Sequence, residues 1–94
     1  MKHYILAKWN EDCDKESLLQ PVREIFEETL NIPGVHAVEV KPCCIDRSNR
    51  YDLMVEIDMD RDALPLYDKS APHRKWKERY GSMLFSKAIF DSED

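Results

Sequence analysis

Residues 51–59 alternate strictly between two classes of side chain, and this pattern limits the fold more than any other feature of the chain. The apolar positions are Tyr51, Leu53, Val55, Ile57 and Met59, and the positions between them are Asp52, Met54, Glu56 and Asp58. Side chains along a β-strand point alternately to the two faces of a sheet, so the pattern predicts a strand with its Leu53 face in the core. Such a strand requires a covering layer, which here must be helical.

Three further segments have the composition of strands, at residues 2–9, 35–41 and 85–91. In the first segment His3 shares a face with Ile5, whereas Tyr4 lies on the opposite face. The residues that share one side of a strand are His3, Ile5, Ala7 and Trp9 in the first segment, and His36, Val38 and Val40 in the second. The histidine at position 3 is therefore expected on the same side of the strand as apolar residues.

Two regions show helical periodicity. The first runs from Leu18 to Leu30, with Asp14 and Ser17 as possible caps at its start. Ser17 with Gln20 fits a capping box, and Pro21 is predicted in or near the first turn. The second is split, because Asp60 predicts a short helix that extends to Tyr67 and the stretch from Ser70 to Pro72 predicts another start. The apolar face of that last helix is expected to carry His73, Trp76, Tyr80 and Leu84.

The element order is therefore β-α-β-β-α-β, an α+β class known as ferredoxin-like, with a four-stranded antiparallel sheet and helices on one face. The 94 residues form one domain, residues 1–94. The second face of the sheet carries Tyr4 and Met54 among acidic residues, and either water or a second sheet covers it. We favour the second sheet, which predicts a homodimer.

Charge and cysteine content restrict the partners and the location. Acidic residues outnumber basic ones by 19 to 14, which disfavours nucleic acids and anionic membranes as partners. The basic cluster at residues 73–79 is expected to be a solvated helix face. The first residues do not have the pattern of a signal peptide. The three cysteines, Cys13, Cys43 and Cys44, do not have the spacing of metal ligands. We therefore expect reduced thiols in a cytoplasmic protein.

Several short motifs in this order resemble the stress-responsive A/B barrel (Dabb) domain family, within the dimeric α+β barrel superfamily. The motifs are Lys2-His3, Ile32-Pro33-Gly34-Val35, Tyr51-Asp52-Leu53, Tyr67 followed six residues later by His73, and Phe90-Asp91. The resemblance covers nearly the whole chain. It implies a homodimer in which two sheets face each other as a barrel, with a cavity in each subunit between the sheet and the helices.

In a plant branch of that family the cavity cyclises a linear polyketide. The resemblance implies that His3, Tyr67 and His73 occupy the positions of the residues that perform this chemistry. The family often has His-Pro-x-His at the split helix, whereas this chain has Ser70-Ala71-Pro72-His73, so the first histidine is missing.

The two histidines suggest acid–base chemistry, in which one imidazole removes a proton next to a carbonyl while the other, or the Tyr67 hydroxyl, holds the oxyanion. The alternative is that His3 is a core residue and His73 a surface residue. The residues expected to line the cavity are Ile5, Leu53, Val55, Trp76 and Tyr80, although the aromatic ones fit a plain core equally well. We expect no cofactor and no metal, although Asp52, Glu56 and Asp58 would form an acidic row able to hold a divalent cation.

Three classes of function are consistent with these patterns. The first is a dimeric protein that binds or converts a small hydrophobic carbonyl or phenolic compound. The second is a non-catalytic stress-response or structural dimer. The third is a cofactorless or haem-handling monooxygenase, suggested by Asn10, His73 and Trp76. The haem-degrading branch of the superfamily places its tryptophan well before the helix histidine, whereas here Trp76 follows His73, which disfavours this class. Whether the protein is an enzyme stays open, as does its substrate.

Overall fold

The fold is described from a computed structural model that covers residues 1–93, so Asp94 lies outside the described residues. The strands and helices are β1 (Lys2–Trp9), α1 (Lys15–Glu27), β2 (Val35–Pro42), β3 (Leu53–Met59), α2 (Leu64–Asp68), α3 (Ala71–Tyr80) and β4 (Leu84–Ser92). Short 3₁₀ turns at Glu28–Asn31, Arg61–Ala63 and Gly81–Met83 connect them. The order matches the one that the sequence predicts.

The four strands form one antiparallel sheet in the order β2-β3-β1-β4. Burial alternates along both central strands, so that every second residue of β1 and β3 is buried. His3 lies on the buried side of β1, together with Ile5, and Leu53 lies on the buried side of β3. The ferredoxin-like fold predicted from the alternating pattern is thus confirmed.

The core lies between this buried side and the helices. Val22, Ile25 and Phe26 of α1 are buried, and the Phe26 ring packs 5.2 Å from that of Trp76 on α3. Trp9 at the end of β1 contacts Trp76 edge-on, with 6.1 Å between ring centroids. Burying an apolar side chain of this size contributes about 1.5–3 kcal/mol, so these contacts hold both helices on the sheet.

Of the two caps that the sequence offers for α1, the structure uses Asp14. The helix begins at Lys15 with Asp14 as N-cap, and the Ser17 hydroxyl donates to the Asp14 carbonyl at 2.9 Å, so the capping box predicted at Ser17 is wrong. Pro21 consequently lies inside the helix instead of in its first turn. The proline is tolerated because Pro21 and Ser17 are both exposed, and water reaches the Ser17 carbonyl that the missing N–H would have bound.

Two other predicted faces are also corrected. A β-bulge between Val35 and Ala37 turns His36 outward, where its Nε2 lies 2.9 Å from Asp60 Oδ1, so His36 does not share a side with Val40. Leu84 begins β4 instead of extending the face of α3, which ends at Tyr80. Leu30 is exposed because a 3₁₀ turn replaces the last turn of the helix.

The side of the sheet away from the helices, which we term the open face, carries an apolar patch. The register pairs Tyr4 with Phe90, and pairs Leu6 with both Met54 and Ala88, which places these five side chains on this side. The rings of Tyr4 and Phe90 lie 6.3 Å apart, and Phe90 remains 65% exposed. Lys2 and Glu56 add charges at the margin of the patch, with 4.0 Å between them.

Replacing Gly34 by alanine should destabilise the protein. Gly34 has φ +90°, and a Cβ there would lie 2.9 Å from the Cβ of Ala63. We expect Gly34→Ala to lower the free energy of unfolding by about 1–3 kcal/mol in urea denaturation. Gly81→Ala is the matched control, because a Cβ there meets nothing within 4 Å. Equal stabilities for the two variants would contradict the assigned turn.

Candidate functional site

Three aromatic rings from three different elements meet at the end of the sheet where β1 begins. The rings of His3 and Tyr67 lie 5.2 Å apart, and those of Tyr67 and His73 lie 4.8 Å apart. We call these three residues the ring cluster. They are the three residues that the family resemblance nominates, and the fold brings them into contact with Tyr67 in the middle.

A cross-strand partner orients His3. The register places His3 of β1 directly opposite Asp91 of β4, and the imidazole Nδ1 contacts Asp91 Oδ1 at 2.5 Å. A carboxylate only accepts hydrogen bonds, so Nδ1 carries the proton and donates it. When His3 is neutral, the lone pair is therefore on Nε2. His3 is 5% exposed and Asp91 is at the solvent side of the pair.

Ser70 connects the other two members of the cluster. Its hydroxyl donates to the Tyr67 carbonyl at 2.7 Å and accepts from the backbone N–H of His73 at 3.3 Å. As N-cap it begins α3 at Ala71, as the sequence predicts, and separates α3 from α2. One side chain thus fixes the spacing between Tyr67 and His73.

Tyr67 carries the most unusual group in the cluster. The residue is 1% exposed, and its hydroxyl has no hydrogen-bond partner among residues 1–93. Burial, with a smaller contribution from the charge of Asp68, raises the pKa of the phenol, which therefore stays protonated. A buried donor without an acceptor costs about 1–3 kcal/mol, and proteins rarely retain one without a reason.

His73 is half-buried at the start of α3. Its Nδ1 lies 2.9 Å from the Asp68 carbonyl, which can only accept, so the ring donates from Nδ1 and leaves the lone pair on Nε2. Burial lowers the pKa of His73, and the charges of Lys77 and Lys87 lower it further, against the opposing hydrogen bond to Asp68. The imidazole is thus kept neutral near pH 7.

The cluster therefore combines a neutral imidazole with a protonated phenol and a second imidazole held by a carboxylate. The first can accept a proton, the second can donate a hydrogen bond to a developing negative charge, and the third can deliver a proton from Nε2 when its ring carries both protons. Asp91, the partner of His3, belongs to the Phe90-Asp91 motif, but the sequence alone assigned it no role at the site. Its role follows from the register of β4 against β1, which strand periodicity does not reveal.

The residues expected to line a cavity between the sheet and the helices are buried. Ile5, Val55 and Trp76 are packed in the core, and Tyr80 is almost as buried. Leu53 borders a cavity of about 420 Å³ near the far end of β1. His73 itself borders an open cavity of about 460 Å³, together with Asp68, Lys69, Ser70, Arg74, Lys77 and Glu78.

The acidic row expected on the sheet does not form as a unit. Asp52 lies before β3, and its carboxylate accepts from the Trp9 N–H at 2.7 Å and binds Lys15 at 2.8 Å, so it turns away from Glu56 and Asp58. Across residues 1–93, no group of three histidine, cysteine or acidic side chains is arranged to hold a metal ion.

No protein-family model matches the chain, and no curated protein sequence is significantly similar to it. Solved structures do match it. A dimeric protein of unknown function and ferredoxin-like fold from Bacteroides fragilis is 17% identical over 99% of this chain and 94% of that one, with a TM-score of 0.81. A dimeric ferredoxin-like protein from Thermobifida fusca is 20% identical over 95% of this chain and 85% of its own, with a TM-score of 0.79.

An enzyme is also among the similar structures. A hydroxynitrile lyase from Passiflora edulis is 10% identical over 99% of this chain and 94% of its own, with a TM-score of 0.73. These similarities show a ferredoxin-like α+β fold that is shared with dimeric proteins. None of the helices within residues 1–93 is long and apolar enough to cross a membrane.

The lowered pKa of His73 should be visible as a pH-dependent stability. In the unfolded chain His73 binds a proton near its ordinary pKa of 6.5, whereas in the folded chain it does so only at lower pH. The free energy of unfolding therefore decreases as the pH falls from 6.5 through the folded pKa. Asp60 raises the pKa of His36, so His36 stabilises the folded protein on acidification, opposite to His73. The contribution of His73 must therefore be isolated by comparing wild type with a His73 variant. We expect wild type to lose stability on acidification relative to His73→Asn. An NMR titration in which His73 titrates at or above 6.5 would contradict the assignment.

Proposed function

We propose that this protein is a homodimer of the Dabb type that binds a small carbonyl or phenolic compound at the ring cluster and acts on it by acid–base chemistry. The observation that carries the proposal is the buried hydroxyl without a partner on Tyr67, whose ring lies between the rings of His3 and His73. A ligand oxygen would supply the acceptor that this hydroxyl lacks. Three free cysteines favour a reducing, cytoplasmic setting.

The hydrogen bonds around the cluster support a division of roles. His73 is neutral and has its lone pair on Nε2, which suits the base that removes a proton next to a carbonyl. Tyr67 stays protonated and would donate to the oxyanion that forms. His3, whose Nδ1–H is held by Asp91, would return a proton from Nε2 in its doubly protonated form, and Asp91 would act as a positioning residue.

The similar structures are compatible with such chemistry. One protein of this fold is a hydroxynitrile lyase, so the fold can host an enzyme that acts on small polar molecules. At this level of identity the comparison concerns the fold alone, and the proposed reaction rests on the ring cluster.

The homodimer rests on the open face. Tyr4, Leu6, Met54 and Phe90 present an apolar surface there, and two solved structures of this fold are dimeric. Packing two such faces against each other would remove this surface from water. Glu56 and Lys2 at the margin would then lie near charges of the second copy.

A non-catalytic dimer is the second candidate, and one observation favours it. Ile5, Val55 and Trp76 are at most 2% exposed, so the region between sheet and helices where the family resemblance implies a cavity is closely packed. A protein whose surface matters only for assembly needs no cavity there. The two candidates differ in whether Tyr67 requires its hydroxyl.

The substitution Tyr67→Phe separates the two candidates. Removing an unpaired buried hydroxyl should raise the free energy of unfolding by about 1–3 kcal/mol, whereas it should abolish binding of any ligand that this hydroxyl contacts. We would measure urea denaturation, and thermal shifts with phenolic acids and β-keto thioester mimics. A thermal shift in wild type that disappears in Tyr67→Phe supports the proposed site.

Tyr51→Phe is the matched control, because Tyr51 is a half-buried tyrosine remote in sequence from the ring cluster. It should leave both measurements unchanged. A Tyr67→Phe protein that is less stable than wild type would show that the hydroxyl has a structural role, and undiminished ligand binding would remove it from the site.

The dimer can be tested by placing a charge on the open face. Leu6→Asp would put an unpaired carboxylate between the two sheets, at a cost of about 2–5 kcal/mol. Sedimentation velocity should therefore show a monomer at concentrations where wild type is dimeric. Leu66→Asp is the control, because Leu66 is an apolar residue of α2 that is already 50% exposed. A monomeric wild type would rule out the dimer.

A further inference from the structure

A second cavity lies at the opposite end of β1 from the ring cluster. His3 and Trp9 are six residues apart on one strand, which corresponds to roughly 20 Å. The cavity next to Trp9 has a volume of about 420 Å³ and is bounded by the start of α1, the beginning of β3 and the loop at residues 43–50. We call it the loop cavity.

The walls of the loop cavity divide into an apolar part and a charged rim. The apolar part consists of Trp9, Leu19, Pro42, Ile45 and Leu53. Trp9 is 3% exposed and is braced from behind by the edge-on contacts with Trp76 and Tyr80. Because Trp9 and Leu53 are 3% and 4% exposed, they form the closed floor of the cavity, and Leu19, Pro42 and Ile45 supply the apolar surface that a ligand can reach.

The charged rim consists of Lys15, Glu16, Asp46 and Asp52. Three carboxylates face one ammonium, so the rim has a net charge of −2 when all four groups are ionised. Lys15 Nζ lies 2.8 Å from Asp52 Oδ1 and 3.7 Å from Asp46 Oδ1. A primary ammonium of the chain itself is thus already held between two carboxylates at this rim.

The two carboxylates differ in how firmly they are held. Asp52 is fixed, because its other oxygen accepts from the Trp9 N–H at 2.7 Å and its backbone pairs with Ala7 and Cys43. Asp46 has a side chain that is 96% exposed, and its contact with Lys15 is the longer of the two. Asp46 can therefore leave Lys15 at little cost and take a different cation.

We propose that the loop cavity binds a small organic cation, namely a primary amine with an aromatic or branched aliphatic body. The body packs on Leu19, Pro42 and Ile45, and the ammonium lies between Asp46 and Glu16. Lys15 stays with Asp52. An organic anion of the same shape meets a negative rim whose single ammonium is already paired, so the site discriminates by the sign of the charge.

The loop at residues 43–50 is suited to accommodate such a ligand. Lys8 Nζ donates to the carbonyls of Ser48 and Arg50 at 2.8 and 3.0 Å, which fixes the far part of the loop. Residues 43–46 are exposed and carry Ile45 and Asp46 over the cavity.

Cys43 supplies a direct readout, because it is exposed and borders the loop cavity. In a Cys13→Ser/Cys44→Ser protein, Cys43 is the single thiol, and its alkylation by iodoacetamide can be followed by mass spectrometry. With phenethylammonium at about ten times its Kd, only about one-tenth of the sites remain free, so the rate should fall about ten-fold. Phenylacetate, the matched anion, should leave the rate unchanged.

Two variants complete the test. Glu16→Gln/Asp46→Asn should abolish the protection by phenethylammonium, whereas Asp12→Asn, a carboxylate outside the rim, should preserve it. His73→Asn should also preserve it, which separates this site from the ring cluster. Equal protection by phenethylammonium and phenylacetate, protection that survives in Glu16→Gln/Asp46→Asn, or no protection at saturating amine would each overturn the proposal.

Discussion

The antiparallel pairing of β1 with both β3 and β4 is the interaction on which the rest of the molecule depends. It buries His3, Ile5, Ala7 and Trp9 on one side of the sheet and places Tyr4 and Leu6 on the other. The same hydrogen-bonded ladder brings Asp91 opposite His3. The ring cluster, the open face and the loop cavity each include residues of β1, so all three depend on the position of this strand in the centre of the sheet.

Tyr67 belongs both to the ring cluster and to the packed core, and these two settings favour different side chains. Tyr67 is packed as tightly as Phe26 or Trp76, and yet it carries a polar atom that the core does not satisfy. A purely structural residue at this position would be phenylalanine, which has the same ring and lacks the hydroxyl. The retained hydroxyl is therefore the clearest sign that this part of the protein is adapted to something other than its own stability.

Local patterns in the sequence were sufficient for most of the fold and for part of the site. The alternation of β3, the set of residues that share one side of β1 and the start of α3 at Ser70 each depend on neighbours in the chain, and each was predicted correctly. Three of the features that were missed depend on distant partners. Asp52 turns back to the Trp9 N–H, Asp91 reaches His3 across 88 positions, and the bulge in β2 is set by its pairing with β3. Periodicity does not contain this information, since register is decided only when the strands pair.

The Ser70 hydroxyl has a dynamic consequence. It bonds the carbonyl of Tyr67 and the N–H of His73 at the same time, so the end of α2 and the start of α3 are fastened at one point. Local opening in proteins proceeds in small cooperative units, and a shared bond of this kind joins the two turns into one such unit. Tyr67 and His73 should consequently become mobile together. A molecule that enters between the rings would then order or loosen both helices at once.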